Sequence, residues 1–167
     1  MNQQNKNTLI SKSVIKVFIS LILLTLINCG TLGGFKIIRF NVSKENLNTA
    51  FDKLYLQYPE YTYPKKWSKF DDWSERGYDF LESKIIYFDK NPEEMFYITF
   101  IDDNESLDNN KNSEIAIRAV HNNSGKTWLK EENFNKEERL RIENRFKNDI
   151  ITKLEKYTNS HAMETNY

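Results

Sequence analysis

One acidic segment has the residue types of a metal-binding loop. Residues 102–108 place side-chain oxygens at alternate positions, on Asp102, Asn104, Ser106 and Asp108. Calcium-binding loops use this alternation, but they need a glycine at the sixth position and a glutamate at the twelfth. Leu107 and Ser113 occupy those two positions here. We therefore interpret the segment as a solvated hairpin loop and predict no metal site.

A second segment, within residues 55–80, mixes large aromatic side chains with basic ones. Trp67, Phe70 and Trp73 are interleaved with Lys65, Lys66 and Lys69. Such a mixture can stack on sugar rings, bind a peptide or contact a lipid headgroup. In a domain of this size, however, large aromatic residues usually cover one edge of the core. We favour this covering role and keep a ligand-binding loop of Trp67, Phe70 and Trp73 as the alternative.

The sequence offers few residues for catalysis. His121 is the only histidine before the last ten residues, and it directly follows a predicted strand at a turn. No GxSxG, HExxH, CxxC or phosphate-binding glycine loop occurs. We interpret His121 as a surface or hairpin residue rather than a general base. The sequence thus predicts neither an enzyme nor a cofactor, and a hydrolase whose acidic residues gather only in the fold is the alternative.

Cys29 is the single cysteine, so the chain cannot form an internal disulfide. It lies two residues beyond an eleven-residue apolar run, residues 17–27, which follows Lys6, Lys12 and Lys16. A basic segment followed by a run of this length is typical of an export signal. Since the lysines favour the cytoplasmic side, the rest of the chain is predicted to lie outside the cytoplasm.

The end of the apolar run, Leu26-Ile27-Asn28-Cys29-Gly30, resembles the lipobox of bacterial lipoproteins. Leu26 and Cys29 match the family pattern, and Asn28 stands where Gly, Ala or Ser is usual. The resemblance covers about the first thirty residues and implies cleavage before Cys29, which would then carry the acyl chains that anchor the protein. Residues 1–28 would be the signal peptide and residues 29–34 a glycine-rich tether.

An uncut signal anchor is the alternative to a cleaved lipoprotein signal. Residues 17–35 form an uncharged stretch of nineteen residues, and a helix of about twenty residues spans a bilayer. Asn28 and three glycines make the second half of this stretch a poor apolar helix. Both interpretations place the following domain on the same side of the membrane.

Length and charge limit the mature chain to one small, mildly acidic domain. Removing residues 1–28 would leave 139 residues with 21 basic and 24 acidic side chains, a formal charge of −3. This charge gives no reason to expect nucleic acid as a partner. We predict a membrane-tethered, non-enzymatic module of the cell envelope that binds an envelope protein or a glycan.

Hydrophobic spacing predicts an α+β domain at residues 35–157. Residues 35–42 alternate as a strand, and Ser43 caps a helix that Pro59 ends. The apolar stripe of this helix comprises Leu47, Ala50, Phe51, Leu54, Tyr55 and Tyr58. Three strands follow at residues 83–88, 95–101 and 114–120, with residues 126–129 as a candidate further strand.

A second amphipathic helix is predicted after the strands. It begins at the capping pair Asn135 and Glu138 and ends near Tyr157. Its stripe comprises Leu140, Ile142, Phe146, Ile150, Ile151, Leu154 and Tyr157. The order β-α-β-β-β-(β)-α favours an antiparallel sheet of four to five strands with both helices on one face. Residues 158–167 form a polar tail that we expect to fray.

Overall fold

Five antiparallel strands organise the fold. The computed structural model describes residues 35–78, 81–101, 111–122, 125 and 127–165. The strands are β1 (Ile37–Phe40), β2 (Ser83–Phe88), β3 (Glu94–Ile101), β4 (Ser113–Asn122) and β5 (Ala162–Thr165), arranged in the order β2-β3-β4-β1-β5. The helices are α1 (Lys44–Gln57), α2 (Lys136–Phe146) and α3 (Thr152–Thr158). The predicted α+β class with an antiparallel sheet is confirmed.

Both predicted helix starts are capped by the expected side chains. Ser43 Oγ accepts a hydrogen bond from the Asn46 N–H at 3.2 Å, and Asn135 Oδ1 accepts from the Glu138 N–H at 2.9 Å. Each bond satisfies one of the N–H groups that a helix leaves unpaired at its start. The second predicted helix is in fact α2 and α3, joined without a break by a π-helical turn at Lys147–Ile151.

The helices pack on one face of the sheet and form the main core with it. Fully buried members include Phe40, Leu47, Phe51, Leu54, Phe96, Ile98, Ile115, Ile142, Ile150 and Leu154. Burying side chains of this size stabilises the fold by about 1.5 to 3 kcal/mol each before entropy is counted. Leu140, which we predicted to lie in the apolar stripe, is 45% exposed. The prediction was wrong because Leu140 is separated from buried Ile142 by about 200° around the helix.

The opposite face of β2, β3 and β4 is covered by side chains of residues 63–73. A 3₁₀ helix at Lys65–Phe70 lies across it, and a second buried cluster forms there. This cluster comprises Trp67, Tyr87, Met95, Tyr97, Ala119 and Trp128, with Tyr63, Phe70, Trp73 and Ile85 partly buried against them. The sheet is therefore buried on both faces along these strands, and β3 carries apolar side chains on both faces.

Two predictions about strands were wrong. Where residues 126–129 were a candidate strand, the described residues 127–129 contain one isolated bridge, between Val120 and Leu129. The fifth strand is β5, which lies in the tail that we expected to fray and pairs with β1 from Ile37 opposite Thr165 to Phe40 opposite Ala162. Asn159 adopts the left-handed conformation (φ 52°) after α3 and turns the chain back toward the sheet.

Several predictions fall on parts of the chain outside the described residues. These are Cys29, the tether at residues 29–34 and the acidic loop at residues 102–108, so the interpretations given for them stay predictions. Within the described ranges, no helix has the length and apolar character needed to cross a bilayer.

Candidate functional site

The aromatic side chains of residues 63–73 form a packed layer on the sheet, completed by Trp128. We call Tyr63, Trp67, Phe70, Trp73 and Trp128 the aromatic layer. The Trp67 N–H donates to the Pro64 carbonyl at 2.8 Å, in the turn that opens the 3₁₀ helix. Side chains three residues apart eclipse one another in such a helix. Trp67 and Phe70 therefore lie side by side, with ring centroids 5.6 Å apart.

Trp73 and Trp128 extend the layer beyond the 3₁₀ helix. The Trp73 ring stacks on Tyr97 of β3, with centroids 3.9 Å apart and an interplanar angle of 12°. Trp128 lies 5.2 Å from Trp73, and its Nε1–H donates to the Phe70 carbonyl at 2.7 Å. The stacking stabilises Trp73, and the hydrogen bond satisfies the indole N–H of Trp128. The layer is thus held by specific contacts in addition to apolar burial.

Glu93 anchors one side of the aromatic layer. Its Oε1 accepts hydrogen bonds from Tyr87 OH at 2.6 Å and Trp67 Nε1 at 3.0 Å, and it lies 2.7 Å from Lys66 Nζ. The bonds from Lys66 and Tyr87 hold the pKa of Glu93 below its usual value. Burial, together with the bond to Glu93, raises the pKa of Tyr87 to about 12. The carboxylate therefore stays charged and the phenol stays neutral over the ordinary pH range.

His121 lies beneath the aromatic layer, so the predicted surface position was wrong. The residue is 1% exposed. Its ring centroid lies 3.9 Å from that of Phe70, 5.2 Å from Trp67 and 5.6 Å from Trp128. In the described part of the chain, neither ring nitrogen has a hydrogen-bond partner. Burial and the nearby Lys69 ammonium lower the pKa of His121, and Asp72 opposes this shift.

The signal that places His121 inside is its spacing from Ala119. Residues two apart on a strand face the same side of a sheet, and Ala119 is buried in the same cluster. Sequence analysis missed this because nothing in the strand itself shows that residues 63–73 fold over that face. Glu93 and Trp128 were missed for the same reason.

A groove lies next to the aromatic layer, along the outer edge of β2. Its volume is about 310 Å³, and it is lined by Tyr55, Thr62, Tyr63, Asp71, Ser83 and Lys84. Tyr63 OH donates to Asp71 Oδ2 at 2.6 Å, and Tyr55 OH donates to the Ile85 carbonyl at 2.9 Å. The hydrogen bond to Asp71 raises the pKa of Tyr63 to about 12. The groove thus combines hydroxyl groups, one carboxylate and one ammonium group beside aromatic rings.

The structure brings the three residues of the predicted ligand-binding loop together but exposes them unequally. Trp67 is 3% exposed, whereas Phe70 and Trp73 are partly exposed. The polar groups that a ligand can reach belong instead to Tyr63, Asp71 and the neighbouring edge of β2. In sequence, Tyr63 precedes Trp67 and Asp71 lies between Phe70 and Trp73, and neither was predicted as a site residue.

The described residues contain no group of three or more His, Cys, Asp or Glu side chains suited to hold a metal ion. Asp71 is the one carboxylate among the described residues that line the groove. No protein-family model, curated protein or solved structure matches this chain.

Proposed function

We propose that this protein is a lipid-anchored, non-enzymatic binding module of the cell envelope and that its groove binds a glycan. The observation that carries the proposal is the groove itself, where Tyr63 and Asp71 are joined by a 2.6 Å hydrogen bond beside the aromatic layer. The hydrogen bonds from Tyr63 to Asp71 and from Tyr55 to the Ile85 carbonyl hold lining side chains in place before any ligand arrives, and a preformed site loses less entropy on binding.

The chemistry of the lining favours a sugar over an apolar ligand. Thr62 and Ser83 supply hydroxyl groups that donate and accept, and Lys84 donates. Tyr63 OH already donates its hydrogen bond to Asp71, so its hydroxyl oxygen and the Asp71 carboxylate accept. Sugar hydroxyls need both kinds of partner, and the faces of sugar rings pack on aromatic side chains. The hydrolase alternative needs a second carboxyl group near Asp71, because glycoside hydrolysis uses a pair of carboxyl groups.

The anchoring part of the proposal depends on Cys29 and is tested by mass. The full chain is made in a bacterial host that processes lipoproteins, beside a Cys29→Ala variant, and both are extracted from membranes. A chain that begins at Cys29 and carries acyl mass, both lost in the variant, supports the anchor. Full-length unacylated protein in both preparations would refute it and favour the uncut signal anchor.

The binding part is tested with purified cell-wall glycan and its soluble fragments, by co-sedimentation and calorimetry. We expect the wild type to bind and Asp71→Asn to bind at least about tenfold more weakly, the loss expected for a charged hydrogen-bond partner. Asp89→Asn is the matched control, since Asp89 is an exposed carboxylate just after β2 and outside the groove lining. Unchanged melting temperatures show that both variants are folded.

Three results would contradict the glycan proposal. The first is no binding by the wild type, the second is equal loss in Asp71→Asn and Asp89→Asn, and the third is retention of an envelope protein in place of glycan. Release of shortened fragments from the glycan by the wild type would instead identify the hydrolase alternative.

A further inference from the structure

β2 is the outermost strand on one side of the sheet, and its outer edge forms a wall of the groove. Among the described strands, it pairs with β3 alone. The groove lining includes Ser83, Lys84 and Ile85 of this strand. An edge strand presents backbone N–H and C=O groups on the side that has no neighbouring strand. The groove therefore offers backbone hydrogen-bonding groups in addition to the side chains described above.

The register of the sheet shows which backbone groups of β2 point outward. The Phe100 N–H donates to the Glu82 carbonyl at 3.0 Å. In an antiparallel pair, every second residue exchanges both of its hydrogen bonds with the neighbouring strand. Glu82 and Lys84 therefore bond to β3, where Lys84 lies opposite Ile98. The N–H and C=O groups of Ser83 and Ile85 consequently point away from β3, toward the groove.

Tyr55 of α1 confirms this orientation and limits what can bind at the edge. Its hydroxyl donates to the Ile85 carbonyl at 2.9 Å, as expected for a carbonyl that points away from β3. Burial raises the pKa of Tyr55, so the hydroxyl keeps its proton and remains a donor over the ordinary pH range. An added peptide strand needs both the N–H and the C=O of one residue. Since Tyr55 already binds the Ile85 carbonyl, a single ligand group suits this position better than a strand.

The N–H of Ile85 points the same way as its carbonyl and is a donor for one acceptor on a ligand. Backbone N–H groups pair most often with amide carbonyls, as they do throughout a sheet. Amino sugars that are acylated on nitrogen carry such an amide, whereas neutral sugars carry hydroxyl groups alone. The methyl group of an acetamido substituent is apolar and packs on aromatic rings, and the ring of Tyr63 lines the same groove.

We propose that the glycan bound in the groove carries an amide substituent, as N-acetyl amino sugars do, and that its amide carbonyl accepts a hydrogen bond from the Ile85 N–H. This inference rests on the proposed glycan binding and adds the class of sugar that is recognised. Tyr63 and Asp71 accept from the sugar hydroxyl groups beside this contact. Glucose has a hydroxyl group in place of the amide, so it loses the carbonyl acceptor and the methyl contact.

The experiment compares the tetramers of N-acetylglucosamine and of glucose, which share one linkage and differ in the acetamido group. Calorimetry on the full chain, extracted from membranes, measures both affinities. We expect the N-acetylglucosamine tetramer to bind about tenfold more tightly, because glucose lacks one amide hydrogen bond and one buried methyl group. The glucosamine tetramer, which has a free amine, is the control for attraction of charge to Asp71. Tighter binding of glucosamine than of N-acetylglucosamine would assign recognition to this charge and overturn the inference.

Nuclear magnetic resonance on the isotope-labelled chain locates the contact on the backbone. The Ile85 amide proton is expected to shift downfield when the N-acetylglucosamine tetramer is added. The Lys84 amide is the matched control, because its N–H points to β3 and should move far less.

Two variants separate the Ile85 N–H from the Ile85 side chain. Ile85→Pro removes the outward N–H without breaking a bond to β3, a substitution that edge strands tolerate, and it should abolish the preference for the N-acetylated tetramer. Ile85→Ala shortens the side chain but keeps the N–H, so it should keep the preference. The comparison of the tetramers on the wild type stands even if Ile85→Pro does not fold.

The outcomes distinguish this inference from the proposed function. Equal affinities for the two tetramers overturn the amide contact, and so does the absence of binding to either by a chain that binds cell-wall glycan. An Ile85 amide that shifts no more than that of Lys84 overturns it as well. A chain that binds neither the tetramers nor cell-wall glycan overturns the proposed glycan binding and this inference together.

Discussion

Glu93 and Glu94 are consecutive residues whose carboxylates lie on opposite faces of the sheet. Glu93 accepts hydrogen bonds from Tyr87 and Trp67 on the side of the aromatic layer. Glu94 is fully buried and accepts from Arg141 and Arg145 of α2 at 2.8 to 2.9 Å. Successive side chains of an extended strand point to opposite faces. One dipeptide at the start of β3 thus attaches both covering layers to the sheet, and each attachment can be removed separately.

Replacing Glu94 by Gln is expected to destabilise the whole domain by about 3 kcal/mol, because it removes the buried counter-charge that Arg141 and Arg145 share. The measurement is urea unfolding followed by circular dichroism. Glu138→Gln is the control, since Glu138 is 48% exposed and lies 3.4 Å from the same Arg141. It should cost less than about 1 kcal/mol. Equal losses of unfolding free energy in Glu94→Gln and Glu138→Gln would show that the buried ion pairs of Glu94 stabilise the domain no more than the exposed pair of Glu138.

Replacing Glu93 by Gln is expected to loosen the aromatic layer while the helical face stays intact. The variant weakens the bonds to Trp67 and Lys66, and hydrogen bonds to a charged group contribute about 1.5 to 3 kcal/mol. Proteolysis should then cut within residues 63–78 faster than in the wild type, and tryptophan fluorescence should shift to the red. Protection of α2 and α3 in hydrogen exchange should not change. Cleavage that begins in the helices would contradict this division.

His121 gives the domain a distinct pH dependence. Burial and Lys69 lower its pKa in the folded state, while the unfolded chain keeps the usual value of about 6.5. The native state then binds fewer protons, so stability falls as pH drops through about 6.5 and levels off below the folded pKa. The slope in that window is at most about 1.4 kcal/mol per pH unit. The loss from Glu93 is separate, since its pKa is lowered from 4.5 and it therefore titrates at lower pH.

The assignment to His121 is checked by unfolding at a series of pH values between about 5 and 7, the window set by the unfolded histidine. His121→Phe should remove the slope, because phenylalanine fills the aromatic surroundings without a proton to gain. His161→Phe should keep it, since the His161 side chain is fully exposed. The same slope in His121→Phe as in the wild type would assign the effect to another group.

Local signals made the helices and most strands predictable. Ser43 and Asn135 cap helices through bonds within three residues of themselves, and β2 was predicted with its observed bounds, Ser83–Phe88. The π-helical turn at Lys147–Ile151 was not predicted, because the apolar stripe from Leu140 to Tyr157 was interpreted as one continuous α-helix. Leu140 was placed wrongly in the apolar stripe. Leu140 and Ile142 lie on nearly opposite sides of the helix, so one stripe cannot contain both.

The candidate site was less predictable because its parts are distant in sequence. The groove joins Tyr63 and Asp71 to the edge of β2, and the surroundings of His121 join β4 to residues 67–70. No period within either segment shows that they meet. The aromatic residues indicated that this segment covers part of the core. Which face of the strands it covers depends on the path of the chain after Pro59.

β5 completes the sheet beside β1 although its sequence alone predicts a frayed tail. Removing residues 161–167 deletes β5 and its contacts from Glu164 to Lys36 and Lys147. With a few backbone hydrogen bonds at about 1 kcal/mol each, we expect a loss of about 2 kcal/mol. Backbone amides of β1 that face β5 should lose hydrogen-exchange protection, while those of β3 keep it. Removing only residues 166–167 is the control and should change neither quantity. Unchanged exchange in β1 after the longer deletion would mean that β1 is the edge of the sheet and that residues 158–167 do fray.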